Sequence, residues 1–311
     1  MAFLDDRLGL RGKVAVVFGG GGGLGRACAL DLGAAGVHLA LADRDTDALE
    51  QTRELLDMVG APEASLITST FDGRDANAQA QFFDLVDGIH DGIDILVNVI
   101  GGTFPQPFEE SNPRGWDALV RTNFTWLLSS TQLAIPRLRR RGGGSIITIE
   151  SIEGHRAAPG HAVYAAMKAA VANLSRTLAV ELGPDQIRVN TIAPDFVPTE
   201  GLLAMMADDE RRADQVDADR STADHDLADR ISIPMGRRGN VGDVGGCALF
   251  LASDLSRFVT GTTLHPDGGT YASAGWFNWP DAGWRNSVPP TVVAAYRAHR
   301  TDAYGPTDGS R

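Results

Sequence analysis

The sequence is poor in cysteine and in basic residues, and it lacks a long apolar run. Cys28 and Cys247 are the two cysteines in 311 residues, which excludes a small disulfide-stapled scaffold and favours a reducing compartment. Neither belongs to a CxxC or Cys/His cluster, so no metal site is predicted. The chain has 28 Lys and Arg against 40 Asp and Glu, a formal charge of -12. This balance argues against nucleic acid or an anionic membrane surface as the main partner.

The apolar segments are too short for a transmembrane helix, which needs about 20 apolar residues in succession. The first residues, MAFLDDRLGLRGK, lack the basic start and the apolar run of a signal peptide. We therefore expect a cytoplasmic protein.

Short apolar runs rich in β-branched residues alternate with stretches of helical spacing along the chain. Runs of this kind are typical of strands that are buried on both faces. Their alternation with helices predicts an α/β fold, a doubly wound parallel sheet with helices on both faces. The predicted strands are Val14–Phe18, Val37–Ala42, Ala64–Thr70, Ile93–Val97, Ser145–Ile149 and Ile187–Ile192.

A glycine-rich loop, Gly19–Ala27 (GGGGGLGRA), follows the first predicted strand and opens into an amphipathic helix. Glycines allow unusual backbone angles, close approach to a pyrophosphate and close packing of helix on strand. The helix N-terminus offers N–H donors and a positive dipole end to phosphates. A glycine cluster alone also fits a flexible turn, but its place between strand and helix favours dinucleotide binding.

Asp43 ends the second predicted strand, 18 residues after Gly25. A carboxylate there can accept hydrogen bonds from both hydroxyls of an adenosine ribose and would repel a 2'-phosphate. Asp43 therefore favours NAD, with NADP less favoured. Two alternatives stay open: Arg44 as a phosphate clamp, and Asp43 as the N-cap of a helix over 46–58.

Tyr164 and Lys168 are four residues apart, which places them on one face of a predicted helix. A nearby ammonium and a cationic nicotinamide ring would both lower the pKa of the tyrosine from its usual value of about 10. The result is an acid/base catalyst. Ser151 lies just after the strand over 145–149, at the carboxyl edge of the predicted sheet, where its hydroxyl could bind a substrate oxygen.

From about Gly12 to Gly269 the sequence resembles the short-chain dehydrogenase/reductase family, which has a single-domain Rossmann fold. The resemblance rests on several motifs in the family's order. They are the fingerprint TGxxxGxG at Phe18–Gly25, the aspartate that closes the third strand at Asp72, the segment NxxxPG at Asn190–Asp195, the nicotinamide threonine at Thr199, and the C-terminal signature at Ile233–Gly269.

The family's Asn, Ser, Tyr and Lys tetrad falls on Asn123, Ser151, Tyr164 and Lys168. The resemblance implies that Tyr164 exchanges the hydroxyl proton, Ser151 holds the substrate oxygen, Lys168 binds the nicotinamide ribose, and Asn123 positions a relay water. The cofactor contacts that it implies are Gly19, Gly23, Leu24, Gly25, Asp43, Asp72, Gly73, Asn98, Tyr164, Lys168, Pro194, Val197 and Thr199.

The sequence departs from the family pattern at several positions. Phe18 replaces the fingerprint threonine, and NVIG at 98–101 replaces NNAG, so we expect an apolar contact between Phe18 and Val99 in place of hydrogen bonds. Glu150 replaces the first serine of the usual pair, and Asp195 replaces the glycine of PG beside the expected nicotinamide.

Residues 196–230 form an acidic segment that the resemblance assigns to a substrate lid. Between Asp208 and Asp229 there are nine Asp or Glu and three Arg. The segment is either a solvated helical face or a hinged lid that disfavours anionic substrates. Apolar side chains suited to a substrate wall stand at its start: Leu202, Leu203, Met205 and Met206.

Residues 271–311 form a C-terminal aromatic extension with Trp276, Trp279 and Trp284. We expect the extension to pack across a neighbouring subunit or to border the pocket. The predicted organisation is a dinucleotide-binding and catalytic domain over 1–270, followed by this extension.

The sequence therefore favours an NAD(H)-dependent oxidoreductase of secondary alcohols and ketones that are alicyclic, steroid-like or terpenoid. The alternative enzyme is an NADPH-dependent 3-oxoacyl reductase, which shares the tetrad, although Asp43 and the acidic segment count against it. A third hypothesis is a nucleotide-sensing protein without turnover, which would have no chemical need of Tyr164 and Lys168. The expected partner is a small alcohol or ketone, and the chain is expected to form a homodimer or homotetramer.

Overall fold

The computed structural model describes residues 7–60, 66–200, 222–280 and 282–299. They fall into two compact units. The larger is bounded by Met1–Val216 and Gly239–Asp267, and the smaller by Asp217–Arg238 and Gly268–Arg311.

The larger unit contains a parallel sheet of seven strands in the order β3-β2-β1-β4-β5-β6-β7. This order is a doubly wound Rossmann sheet, and the predicted fold class is confirmed. The seventh strand has two residues, too few to give a strand signal in the sequence. The strands are β1 Val14–Phe18, β2 His38–Asp43, β3 Leu66–Thr70, β4 Ile95–Asn98, β5 Gly144–Ile149, β6 Ile187–Ile192 and β7 Thr263–Leu264.

Helices cover both faces of this sheet. Four of them begin at side-chain caps: Asp45, Asp75, Asn112 and Asn240 each accept a hydrogen bond from a backbone N–H of the first turn. A π-helical turn, Arg121–Thr125, joins α4 to α5. The helices of this unit are α1 Gly23–Ala34, α2 Thr46–Met58, α3 Ala76–His90, α4 Pro113–Val120, α5 Trp126–Arg140, α6 Ala162–Leu182 and α8 Val241–Ala252.

The core consists of two apolar clusters that correspond to the two faces of the sheet. Ala15 and Val17 of β1 belong to one cluster, whereas Val14, Val16 and Phe18 belong to the other. Successive side chains of a strand point to opposite faces, so this division follows from the strand geometry.

Phe18, which stands in place of the fingerprint threonine, is fully buried among aromatic rings. Its ring lies 5.8 Å from those of Phe83 and Trp126. Val99 packs against the cluster on the opposite face. The expected contact between Phe18 and Val99 is therefore wrong, and the aromatic rings of α3 and α5 pack against Phe18 instead.

The smaller unit contains α7 Thr222–Ser232, α9 Thr270–Ser273, a hairpin of β8 Phe277–Trp279 and β9 Gly283–Arg285, and α10 Pro290–His299. Trp276 and Trp284 remain 47% and 46% exposed. Residues 201–221, which hold most of the predicted lid and its four apolar side chains, lie outside the described residues. None of the helices in the part of the chain that the structure describes has the length and apolar character to cross a membrane.

Candidate active site

The glycine loop lies at the carboxyl end of β1, where the order of the sheet places β2 on one side and β4 on the other. Gly19 and Gly23 have φ angles of 89° and 49°, which glycine adopts without strain. A Cβ on Gly25 would lie 1.9 Å from the carbonyl oxygen of Gly19. Only glycine at position 25 therefore allows α1 to start this close to β1.

Two polar side chains that sequence reasoning missed hold the loop from behind. The hydroxyl of Thr52 donates to the carbonyls of Gly20 and Gly21 at 3.1 and 3.0 Å. Arg26 Nη2 donates to the Gly21 carbonyl at 2.6 Å. Arg26 belongs to the glycine-rich stretch itself but was given no role there, and the position of Thr52 on α2 carried no signal that pointed to the loop.

Asp43 lies opposite the loop at the end of β2. Its Oδ2 accepts from the backbone N–H of Gly21 at 3.0 Å, and its Oδ1 accepts from that of Asp45 at 3.2 Å. The interpretation of Asp43 as a helix cap is wrong, because Asp45 caps α2 by accepting from Ala48 N–H at 3.0 Å. Asp43 is thus available at the rim of the cavity described below.

Asp72 follows β3 and forms a two-pronged ion pair with Arg74, with Nη2 2.7 Å from Oδ2. The hydrogen bonds from Arg74 hold the pKa of Asp72 below its usual range. Arg74 is a second cavity residue that the motif order did not indicate. Beside this pair, Gly73 packs so closely on Ile100 that a Cβ there would lie 2.2 Å from Ile100 Cδ1.

A cavity of about 810 Å³ runs along the carboxyl edge of the sheet from Asp43 to Tyr164. Both Ser151 and Tyr164 face it, so the loop and the predicted catalytic hydroxyls share one space. The sequence-predicted residues that line it are Gly19, Gly23, Leu24, Asp43, Asp72, Gly73, Ser151, Tyr164, Pro194, Val197 and Thr199.

Burial raises the pKa of Tyr164, and the neighbouring Ser151 hydroxyl lowers it by less. The ammonium of Lys168 lies 5.6 Å from the centre of the Tyr164 ring and donates to the carbonyl of Ile149 at 3.1 Å. Burial lowers the pKa of Lys168 to about 8. These directions are those of the protein without nucleotide, and the lowering of the tyrosine pKa expected beside a bound nicotinamide ring stays a prediction.

Asn123 lies in the π-helical turn and is buried behind the cavity wall. Its amide donates to the carbonyls of Gly102 and Leu119 at 2.8 and 3.0 Å. A Cβ on Gly101 would lie 3.1 Å from Asn123 Oδ1 and 3.2 Å from Lys168 Nζ. Gly101, the last residue of NVIG, therefore brings the Asn and Lys of the tetrad together at one point.

Asn98, predicted to contact the cofactor, does not line the cavity. Its side chain is fully buried between the sheet and α5, where Oδ1 accepts from Ser130 at 2.9 Å and Nδ2 faces the hydroxyls of Thr131 and Thr148. Asn98 therefore ties β4 to its neighbours. Among the described residues, no group of three or more His, Cys, Asp or Glu is placed to hold a metal ion.

Comparison with known proteins matches this geometry to one family. A family model described as enoyl-(acyl carrier protein) reductase matches residues 20–271. The 2-dehydro-3-deoxy-D-gluconate 5-dehydrogenase of Bacillus subtilis is 34% identical over 274 residues, which cover 86% of this chain and 98% of that protein. The chain belongs to the short-chain dehydrogenase/reductase family.

Solved structures of short-chain dehydrogenases/reductases share the fold. Carveol dehydrogenase from Mycobacterium avium in complex with NAD has a TM-score of 0.76 and 28% identity, covering 84% of this chain and 98% of that one. A putative 2-deoxy-D-gluconate 3-dehydrogenase from Agrobacterium tumefaciens with bound NADP has a TM-score of 0.70 and 30% identity, covering 85% and 98%. The chain is accordingly a pyridine-nucleotide-dependent oxidoreductase that acts on alcohols or ketones.

The cavity of this short-chain dehydrogenase/reductase fits a nicotinamide adenine dinucleotide. A Cβ on Gly22 would meet no atom within 4 Å, so the loop leaves open space at the N-terminus of α1. Backbone N–H groups at such a terminus suit a pyrophosphate. Thr199, whose Cγ2 lies 3.0 Å from where a Cβ on Gly23 would be, lines the cavity beside this terminus.

Proposed function

We propose that this short-chain dehydrogenase/reductase uses NAD(H) to interconvert secondary alcohols and ketones that are alicyclic, steroid-like or terpenoid. The observation that carries the substrate class is the charge of the cavity wall. Beyond the part lined by Asp43–Asp45 and Asp72–Arg74, the described charged residues of the wall are Glu150, whose side chain is itself buried, Asp195 and Glu200, all acidic. The apolar side chains that line the wall there are Phe104, Leu119 and Val197, whereas Val99 and Ile100 lie beside the glycine loop.

This wall favours an uncharged ring over an anionic substrate. A gluconate or an acyl thioester of CoA or carrier protein would bring negative charge toward Asp195 and Glu200, at a cost that the partly buried surroundings increase. The cyclic alcohol in the name of carveol dehydrogenase fits the wall better than the sugar acids in the names of the other two relatives. The 3-oxoacyl reductase is therefore the less favoured alternative.

The preference for NAD over NADP rests on Asp43. Its carboxylate lies at the rim of the cavity, where it would accept hydrogen bonds from a ribose and repel a 2'-phosphate. Arg44 also lines the cavity, so a single cation stands beside the carboxylate. The carboxylate is the better placed of the two, because two backbone N–H groups fix it in position.

The tetrad residues would divide the chemistry. When bound, the nicotinamide supplies the site that accepts or donates a hydride. Tyr164 would exchange a proton with the substrate oxygen, and Ser151, which lines the cavity together with Tyr164, would hold that oxygen. Lys168, behind the cavity, holds positive charge near the phenol, and Asn123 beside it is placed to orient a water that returns protons to solvent.

Replacing Asp43 with Ser should shift the ratio of the NADH and NADPH dissociation constants by about 10- to 100-fold toward NADPH. The estimate corresponds to the loss of hydrogen bonds to a charged group, worth about 1.5–3 kcal/mol. Fluorescence titration with each nucleotide measures it. Asp47→Ser, which removes an exposed acid from the first turn of α2, is the matched control. Tighter binding of NADPH than of NADH by the unaltered protein would contradict the preference.

The substrate proposal is tested by a screen of alicyclic, steroid and terpenoid alcohols with NAD, followed by the absorbance of NADH. We expect turnover with uncharged ring alcohols and none with gluconates. Turnover of gluconates or 3-oxoacyl thioesters, with ring alcohols inert, would overturn the proposed class. Failure of every alcohol and ketone, in a folded protein that binds NADH, would overturn the proposed reaction.

We also propose that the chain forms a homo-oligomer, a dimer or tetramer, to which the C-terminal extension contributes. Two of its three indole rings, Trp276 and Trp284, border a shared cavity of about 370 Å³ and stay nearly half exposed. Deleting 271–311 should lower the mass found by light scattering to that of a smaller assembly. The double variant Trp276→Ser, Trp284→Ser should show the same change with the rest of the extension present. An unchanged mass in both the deletion and the double variant would contradict a role of the extension in assembly.

A further inference from the structure

Glu150 lies between the last residue of β5 and Ser151, and its side chain is completely buried. Three groups hold its Oε1: the hydroxyls of Thr191 and Thr263, at 2.5 and 3.1 Å, and His155 Nε2 at 3.2 Å. These groups come from β6, from β7 and from the turn that follows Ser151. The carboxylate is therefore fixed by the sheet itself, directly behind the candidate catalytic serine.

The other oxygen, Glu150 Oε2, has no hydrogen-bond partner among the described residues. A buried carboxylate is costly unless charge or hydrogen bonds compensate it. Lys168 is a source of such charge. Its ammonium donates to the carbonyl of Ile149, the residue that precedes Glu150, and it is subject to the field of Glu150.

Burial and Glu153 raise the pKa of the Tyr164 phenol most, and the field of Glu150 adds to them in the same direction. For both groups its direction is the same: a fixed negative charge favours the form that carries the proton. Because the low-polarity surroundings screen it weakly, the effect is larger than that of a surface carboxylate at the same separation.

We propose that Glu150 is a positioning residue whose buried carboxylate keeps a proton on the Tyr164–Lys168 pair. Its effect on catalysis rests on the proposed function. A protonated phenol is the form that donates to a ketone, whereas alcohol oxidation needs the phenolate. With Glu150 present, ketone reduction should therefore persist to higher pH, and alcohol oxidation should begin only at higher pH.

Several other charged or titratable groups lie around the carboxylate. His155 binds it and lies edge-to-face against His265, with 4.9 Å between ring centres. Burial lowers the pKa of His265, against the field of Asp267 and Glu150. The remaining groups that face this region are Glu153, Arg156 and Asp195.

The test is a pH titration of Tyr164 in the protein without substrate. The chain has 4 tyrosines, so the phenolate absorbance of Tyr164 is isolated by subtracting a Tyr164→Phe background. In Glu150→Gln we expect its ionisation to move to lower pH by on the order of one unit. Both ionisations of a coupled pair fall when a nearby negative charge is removed, so the sign does not depend on which group titrates first.

Three variants complete the design. Glu150→Ser removes the same charge with a smaller side chain and should show the same shift, which covers misfolding of the glutamine variant. Glu150→Asp keeps the charge and should stay near the unaltered protein. Glu181→Gln, an exposed acid on the same helix as Tyr164, should leave the titration in place.

An unchanged titration in folded Glu150→Gln or Glu150→Ser, or an equal shift in Glu181→Gln, would overturn the inference. This readout needs no turnover, so a shift in a protein that oxidises no alcohol would sustain the role of Glu150 and count against the proposed function alone. Where a substrate is found, the pH profile of kcat/KM for alcohol oxidation should move to lower pH in the same two charge-removing variants.

Discussion

Replacing Tyr164 with Phe should lower kcat/KM for alcohol oxidation by about 10²- to 10⁴-fold, the usual contribution of a positioned acid/base group. The change removes one oxygen atom from a side chain that lines the cavity together with Ser151. Without it the substrate proton has no acceptor at the point where the hydride leaves. Steady-state kinetics over a range of pH measures the loss.

Two measurements separate this chemical effect from a structural one. The dissociation constant of NADH should stay within about threefold in Tyr164→Phe, because the ring that packs in the wall is retained. Tyr271→Phe makes the same change on the half-exposed Tyr271 of α9 and should leave kcat/KM unaltered. Substantial turnover in Tyr164→Phe, or an equal loss in Tyr271→Phe, would refute the assignment of Tyr164.

Replacing Gly25 with Ala should abolish measurable nucleotide binding and lower the free energy of unfolding by about 1–3 kcal/mol, the usual cost of overpacking. The added Cβ would lie 1.9 Å from the carbonyl oxygen of Gly19 and 3.3 Å from Cα of Gly20. Both neighbours are backbone atoms, so α1 must move away from β1. That movement displaces the N–H groups at the start of the helix on which a pyrophosphate would lie.

Gly246→Ala is the matched control for Gly25→Ala. Gly246 is an exposed helical glycine of α8, and a Cβ there would meet no atom within 4 Å. Its substitution should leave NADH binding alone and raise stability by about 0.5–1 kcal/mol. Chemical denaturation and NADH fluorescence titration, carried out on both variants, test the pair. Normal NADH binding by Gly25→Ala would show that the loop does not carry the nucleotide.

The strand and loop order could be predicted because each signal is local. Buried parallel strands are short apolar runs, and the loop of Gly19–Ala27 stands directly between one such run and a helix. The spacing of Tyr164 and Lys168 likewise needs only the period of α6. By contrast, β7 has two residues, which are too few to form a recognisable strand pattern in the sequence. Its Thr263 nevertheless binds the carboxylate of Glu150.

The contacts that sequence reasoning missed join residues far apart in the chain. Thr52 reaches the glycine loop over 31 and 32 positions, and Asn98 reaches Thr148 over 50. Arg74 is close in sequence to Asp72, but an Arg beside an Asp is common on any surface. Phe18 and Val99 pack on opposite faces of the sheet. Which face each side chain takes depends on the alternation of its strand, and that is fixed only once the sheet is assembled.

The π-helical turn at Arg121–Thr125 restricts how this region can vary in length. The backbone is helical through Val120 and Trp126 on either side, so Pro113–Arg140 is one long helix with a single widened turn. Losing one codon within the turn would let it close to ordinary helical winding, and the helical segments on either side would keep nearly the same facing. Leu127 and Leu138 would still face the sheet, but Asn123, whose amide reaches Gly102 from the widened turn, would be displaced. Insertions and deletions should therefore be rarer here than in the loops on either side of this helix.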